Sequence, residues 1–321
     1  MREIDLMEVG GFCAGHAHDL DAGTGCTVFL FDWCAPAGVD IRGGGPASRE
    51  TPLLNPVMHA QGIHGLLLSG GSAFGLDAAG GVMRWLEKRG IGVEVGGLRV
   101  PLVCQSCIFD LAVGRGDVRP DFDMAYRACE GAARTALENG CVGAGAGASV
   151  GKYRGAQYAM KSGIGTYAVQ AGALKIGAAV VVNALGDIFS PDTGAQIAGL
   201  RTEDGRGLRS TEQEMWRDAE QLQELPGGNT TIGAVFTNGA FTKTELNKIA
   251  SMAHNGYART IRPVHTSADG DSIYAVSVGS VPAEINLVGT LAAHVMGKAV
   301  ERAAERAVSM FGLPCAGELS D

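Results

Sequence analysis

The chain has 321 residues, 46% of them hydrophobic, 19% charged and only 6% aromatic, with a formal charge of −8. That length holds one large domain or two modest ones around a sizeable core, and the acidic balance argues against a general binder of nucleic acid or anionic membranes. No stretch has the length and apolarity of a membrane span, and the opening "MREIDLMEVGGF" lacks an apolar signal core, so a cytoplasmic protein is expected.

In chain order, "GTGCTVFLFD" (23–32) predicts a strand entered through glycine. "IRGGGPASRETPLLNP" follows as a turn-rich loop. "GIHGLLLSGGSAFGLDAAGGVMRWLEKRG" predicts strand, glycine turn and helix, with Ser72 as N-cap and Val82, Trp85 and Leu86 on one face. A second helix is predicted over 124–138, ending at Asn139-Gly140. "GAGAGASVGKYRG" (143–155) is a rigid glycine loop, and "LKIGAAVVVNALGDI" carries a strand centred on Val180–Val182. The most charged stretch, 201–224, reads as an exposed segment, partly helical or mobile. Thr242 and Glu245 have capping-box spacing before a helix with Leu246, Ile249, Ala250 and Ala253 on one face. "DSIYAVSVGSV" alternates like a strand, and Pro282 opens a last helix with Val288, Leu291, Val295, Ala299 and Ala303 inward. Strands and helices in this mixture predict a layered α/β domain.

Several motifs invite a chemical reading that the residues do not sustain. "SGGSAFG" and "GAGAGASVGK" resemble phosphate loops, yet neither GxxxxGK[ST] nor GxGxxG is present, and tight helix-to-strand packing is the better account. Lys152, at the end of the second loop, stands out because a rigid glycine turn holds it in place. His16, His18 and Asp19 have metal-ligand types but no evident third site, and no metal or cofactor is expected. His254 and His265 read as surface or satisfied core residues. The eight cysteines are scattered, and Cys104-Gln-Ser-Cys107 is the one CxxC pair, which reads as structural thiols. Asp269-Gly270-Asp271 reads alone as an Asx turn entering a strand.

"LPGGNTTIGAVFTNG" (225–239) is different, because it sets two glycines and two hydroxyls directly before a buried strand. A loop is the plain reading. The chemical one is that the Thr230 hydroxyl attacks the Asn229 carbonyl, and water hydrolyses the resulting ester. The freed Thr230 amine has a reference pKa near 8, as α-amines do. It then serves as base for its own hydroxyl. Gly227 and Gly228 permit the backbone geometry that such a shift needs. The acid pair lies in the same half of the chain and can orient that amine.

Taken together, "RGGGPASRET", "LLLSGGSAFGLDAAGGV", "VGAGAGASVGK", "VVVNALGDI", "GGNTTIG", "TKTELNKIASMAHNGYARTIRPVHT" and "DGDSIYAVSVG" span most of the chain. They resemble, in order, the self-processing L-aminopeptidase/D-amidase-esterase family, which includes β-aminopeptidases and nylon-oligomer (6-aminohexanoate-oligomer) endohydrolases. The resemblance implies an α/β fold of the N-terminal-nucleophile type, an αββα sandwich of one domain (1–321) cut into chains 1–229 and 230–321. It implies Thr230 as nucleophile, Asp269 and Asp271 positioning its amine and hydroxyl, Lys152 favouring a neutral amine and stabilising charge, and Asn183 donating to the oxyanion. Phe109 stands where some relatives place a tyrosine donor. The substrates implied are small peptides or linear ω-amino-acid amides, and the assembly a homo-oligomer, a tetramer of processed pairs. An ornithine-acetyltransferase-like acyl transferase and a non-catalytic small-ligand binder are the two rival readings.

Overall fold

The computed structural model describes residues 1–220 and 227–319. Its main elements in chain order are β1 (Phe12–Asp19), β2 (Thr24–Ile41), β3 (Gly62–Ser69), α1 (Ala79–Glu87), β4 (Val103–Cys107) and α2 (Phe122–Glu130). There follow β5 (Ile164–Ala171), β6 (Leu174–Asn183), α3 (Thr211–Arg217), β7 (Thr230–Gly239), α4 (Lys243–Thr260), β8 (Ser272–Val281) and α5 (Ile285–Glu305). The strands form one continuous path in the order Arg2–Ile4, β5, β6, β7, β8, β2, β3, β4 and Ala47–Arg49, with β1 also paired to β2. Neighbours run antiparallel except β7 with β8 and β3 with β4.

β2 is the hinge of this path. Its first half pairs with β1 and β3; its register to β3 shifts between Leu30 and Ala35, and Ala37–Ile41 then pair with β8. A bulge bends a strand and increases its twist, so one long strand here serves two sheet halves. The strand predicted over 23–32 is therefore real but nearly twice as long.

Period-2 alternation assigns the faces. Ile232, Ala234 and Phe236 of β7, with Ala179 and Val181 of β6, point into a core shared with Phe12, Phe29 and Leu66 of the other half. Phe236 stacks on Phe12 with ring centroids 4.6 Å apart and tilts against Phe29 at 4.8 Å. Val180, Val182 and Val235 point the opposite way, into a second core with Leu246, Ile249 and Tyr257 of α4 and Val295, Met296 and Ala299 of α5. α1 and α2 cover Val28, Leu30 and Leu67 of β2 and β3 through Val82, Leu86, Met124 and Ala128. Each fully buried Leu, Val or Phe contributes about 1.5–3 kcal/mol.

α4 starts where predicted: Thr242 accepts from Glu245 N and Glu245 reaches back, a reciprocal capping box. Three other predictions are corrected. Ser72 does not cap a helix; it opens a 3-10 turn over Ser72–Ala78 with φ +51°, and α1 begins only at Ala79. The helix predicted over 124–138 runs from Phe122 to Glu130, capped by Asp121, because Ala133 leaves it to bridge Ala14 of β1. α5 begins at Ile285, where the Glu284 carboxylate accepts from Leu287 N, so Pro282 lies before the cap. The charged stretch after 200 is also less exposed than predicted, as Thr211, Glu214 and Asp218 are buried. Its last residues, 221–224, lie outside the described residues. Among the described residues no helix is long and apolar enough to cross a membrane.

Candidate active site

Three strand ends converge on one point. Asn183, the last residue of β6, lies opposite Thr230, the first of β7. Asn229 forms a parallel bridge with Asp269 just before β8, and Ile232 sits beside Ser272. Lys152 arrives from the glycine loop, whose backbone is tied down by Gly151 N donating to Gly186 O and Lys152 N to Leu185 O. Gly151 has φ +71°, and a Cβ there would lie 2.0 Å from the Gly199 carbonyl carbon, so only glycine fits. All five predicted side chains therefore come together, and Asn183, Thr230, Asp269 and Asp271 are buried.

At the Asn229–Thr230 bond, the Thr230 hydroxyl donates to the Asn229 carbonyl oxygen. That same oxygen accepts from Gly270 N at 2.9 Å. Two donors on one carbonyl draw electron density from its carbon, beside the only hydroxyl in reach through its own residue. Gly228, with φ +91°, lets the chain enter this geometry; a Cβ there would strike the Phe109 ring at 2.6 Å.

The Lys152 ammonium makes three hydrogen bonds, to Asn183 O and Oδ1 at 2.9 Å each and to Gly228 O at 3.3 Å. Burial of that ammonium lowers its pKa to about 7, against the opposing charges of Asp269, Asp110 and Asp271. The Asn183 amide is fixed from its other side by Ser149 N, 3.1 Å from Oδ1. Its Nδ2 then points outward to Gly228 O at 3.3 Å and Phe109 O at 3.0 Å. Lys152 and Asn183 thus aim two donors at one carbonyl position, now taken by Gly228.

The acid pair is held from behind. Asp269 Oδ2 accepts from Thr266 N at 2.7 Å and Thr266 Oγ1 at 2.6 Å. Asp271 accepts from Thr231 N at 2.7 Å through one oxygen, and from His265 N and Nδ1 at 3.0 and 2.9 Å through the other. Asp271 therefore meets the chain one residue past Thr230. Burial first, and then the adjacent Asp271 charge, raise the Asp269 pKa. Gly43–Gly45 lie flat on this turn: Gly43 N donates to Asp271 O and Gly45 N to Asp269 O, at 3.2 and 2.8 Å. A Cβ on Gly43 would sit 2.3 Å from Asp271 N.

The sequence analysis missed these supporting groups. His265 reads as a satisfied histidine, whereas its ring sits on Asp271. The triglycine reads only as part of a turn-rich loop; it packs against the acid turn. The available signal was local: His265 and Thr266 fall within six residues of both acids.

Beside Lys152 and Gly228 opens a cavity of about 310 Å³, walled chiefly by apolar groups. Its lining includes Phe109 and Val113, and Phe311 and Leu313 from late in the chain. Phe109 fills the place looked to for a tyrosine donor and offers a ring to the cavity and its carbonyl to Asn183.

The remaining candidates are structural. His16 is engaged on both ring nitrogens, by Thr27 Oγ1 at 2.9 Å and Glu138 O at 3.0 Å, and His18 accepts from Gly143 N. Cys104 and Cys107 are buried, and burial pushes the Cys107 thiol up to about 12. His254 is buried and meets Asp40 O at 3.0 Å. α3 clamps the segment after Lys152: Arg154 pairs with Glu214 and Asp218 at 3.0 and 2.7 Å, and Tyr153 donates to Asp218.

Comparison with known proteins shows the family. The family model of peptidase family S58 matches residues 5–314. An uncharacterised aminopeptidase of Mycobacterium tuberculosis (strain ATCC 25618 / H37Rv) is 38% identical, covering 96% of each chain. The 6-aminohexanoate-oligomer endohydrolase of Kocuria sp. (strain KY2) is 30% identical over 95% of this chain and 87% of its own. Among solved structures, the L-aminopeptidase D-Ala-esterase/amidase of Ochrobactrum anthropi has the same fold, with TM-score 0.70 at 18% identity, covering 94% of this chain and 86% of that one.

Proposed function

The chain belongs to peptidase family S58 and is a hydrolase of amide bonds; from that premise we propose an N-terminal threonine amidohydrolase that makes its own active site. The observation that carries the reading is the Thr230 hydroxyl resting on the Asn229 carbonyl, with Gly270 N on the same oxygen.

In the first reaction, Thr230 Oγ1 attacks the Asn229 carbonyl carbon, and Gly270 N–H stabilises the developing oxyanion. The Thr230 nitrogen leaves, giving an ester; water hydrolyses it to the Asn229 carboxylate and a free Thr230 amine. The products are chains 1–229 and 230–321, the second of 321 − 229 = 92 residues. On this reading the two sheet halves and their helix pairs are the four layers of an N-terminal-nucleophile hydrolase.

In the second reaction the Thr230 amine takes the proton of its own hydroxyl, which attacks a substrate amide. Departure of residues 227–229 frees the donors on Lys152 and Asn183 for the substrate oxyanion. Asp271, braced by His265, fixes the start of β7; Asp269, braced by Thr266, holds the turn over it. The Thr230 ammonium passes the hydroxyl proton to the leaving nitrogen, the amine departs, and water releases the acid from Thr230. Small peptides and linear ω-amino-acid oligomers are the substrates that fit, and a tetramer of processed pairs is the assembly.

Intact mass tests the reading directly. The native protein should give two fragments, the smaller beginning at Thr230, and Thr230→Ala should give one uncut, inactive chain. A Thr230→Ala protein that still hydrolyses amides at the native rate sinks it.

A further inference from the structure

Phe311 holds an unusual position for a large apolar residue. Its φ is +56°, a left-handed backbone conformation that a bulky side chain adopts only when the surroundings impose it. With Gly312 at φ +74° it forms the tip of a tight turn, closed by reciprocal hydrogen bonds between Met310 and Leu313 at 3.2 and 2.9 Å. The ring is seated on two glycines. A Cβ on Gly23 would lie 2.8 Å from it, and one on Gly114 would lie 3.0 Å from it. Both glycines have positive φ themselves, 71° and 62°. Four left-handed residues from three segments therefore converge to hold Phe311, 40% exposed, on the wall of the cavity beside Lys152.

What occupies that cavity follows from the uncut chain. Gly227 and Gly228 line it, and the Gly228 carbonyl lies on the Lys152 and Asn183 donors. Those donors are the ones assigned above to the substrate oxyanion. Gly228 thus marks where a substrate carbonyl sits, and the chain leading back to Gly227 marks the direction of its acyl group.

From this overlap we propose that the cavity is the acyl pocket and that Phe311, on its wall, sets the size of the uncharged, apolar acyl group accepted. Phe109, which lies against Gly228, and Val113, Phe311 and Leu313 give the cavity apolar walls that offer an aliphatic chain no polar partner, beside the polar Ser149, Lys152 and Gln157. The inference rests on the amidohydrolase reading and adds the chemistry of the acyl side.

The test uses processed protein and a series of straight-chain acyl p-nitroanilides, acetyl, butyryl, hexanoyl and octanoyl. Phe311→Ala opens the wall and should raise the octanoyl-to-acetyl ratio of kcat/KM by about tenfold, the scale of apolar-pocket discrimination. Phe311→Trp should lower that ratio. Intact mass confirms that both variants still cut at Asn229–Thr230, and each variant's turn keeps a Cβ at position 311. If both variants scale every substrate by one common factor, Phe311 does not set acyl size and the proposal falls. If the processed native protein hydrolyses no member of the series but cleaves short peptides, the cavity is not an apolar acyl pocket. Loss of hydrolysis of every amide by the native protein would instead overturn the amidohydrolase reading itself.

Discussion

Lys152 carries a conflict between burial and hydrogen bonding. Three carbonyl-type oxygens surround its nitrogen, at 2.9, 2.9 and 3.3 Å, which three N–H groups satisfy and a neutral amine does not. Burial pulls the other way and brings its pKa to about 7. The charged form is the one that donates to an oxyanion, and it is present below that pKa. Hydrolysis by the processed enzyme should therefore rise with pH as the Thr230 amine, a base only when neutral, loses its proton, and then fall along an alkaline limb as Lys152 loses its own. Lys152→Arg stays charged, so that limb should vanish from its pH profile even though the reaction is slower. Lys152→Met, which removes the donor, should lose roughly 10²-fold in kcat, the usual cost of one oxyanion donor. A native profile flat from pH 6 to 9 would show that the Lys152 charge plays no part in the chemistry.

At the scale of elements, the segment Arg42–Gly45 shows how a loop with no chemistry of its own fixes a site. Its amides donate to the Asp269 and Asp271 carbonyls, and glycine is required because the two backbones touch. Gly43→Ala should move the acid turn away from Thr231 and Asn229 and slow self-cleavage by tenfold or more, with time-resolved intact mass as the readout. A 1 Å displacement can cost about 10²-fold in rate. Gly45→Ala is the control, because a Cβ there meets its nearest atom, Asp269 O, only at 3.9 Å. Equal cleavage rates in the two variants would refute the argument. The same segment explains the limits of reading the chain alone. "GGNTT" was legible because it sets a hydroxyl and two glycines before a strand; "DGD" alone reads as an Asx turn and "VVVN" as a strand end, so the roles of Asp269, Asp271 and Asn183 came only through the family resemblance. The strand register that sets Asn183 against Thr230 was not legible, since it depends on pairing across 46 intervening positions. The triglycine gave only permission to turn, with no sign of the partner it touches. Helix ends failed for a related reason: residues 131–138 have helical composition, but the Ala133–Ala14 bridge pulls the chain onto β1.

For the whole molecule, the strand pairing predicts that the proposed cut at Asn229–Thr230 would leave the fold in place. β7, the first strand after the proposed cut, lies between β6 of the proposed large chain (1–229) and β8 of the proposed small one (230–321). It pairs with β6 from Asn183–Thr230 to Ile176–Thr237, and β8 pairs with β2 from Ile41 to Ala37. Phe236 of the small chain stacks on Phe12 and packs on Phe29 and Phe31 of the large one. α5 covers β5 and β6, again across the cut. Separating the chains would expose two sheet edges and both faces of this core, so they should stay together through purification and part only on denaturation. Size-exclusion chromatography with light scattering should show both chains in one peak, and denaturing electrophoresis should show two bands. Phe236→Ala, which removes the central ring, should cost about 3–5 kcal/mol in denaturant unfolding without preventing the cut. Spontaneous release of the 230–321 chain from the processed native protein in buffer would mean that the sheet pairing across the cut does not hold the two chains together.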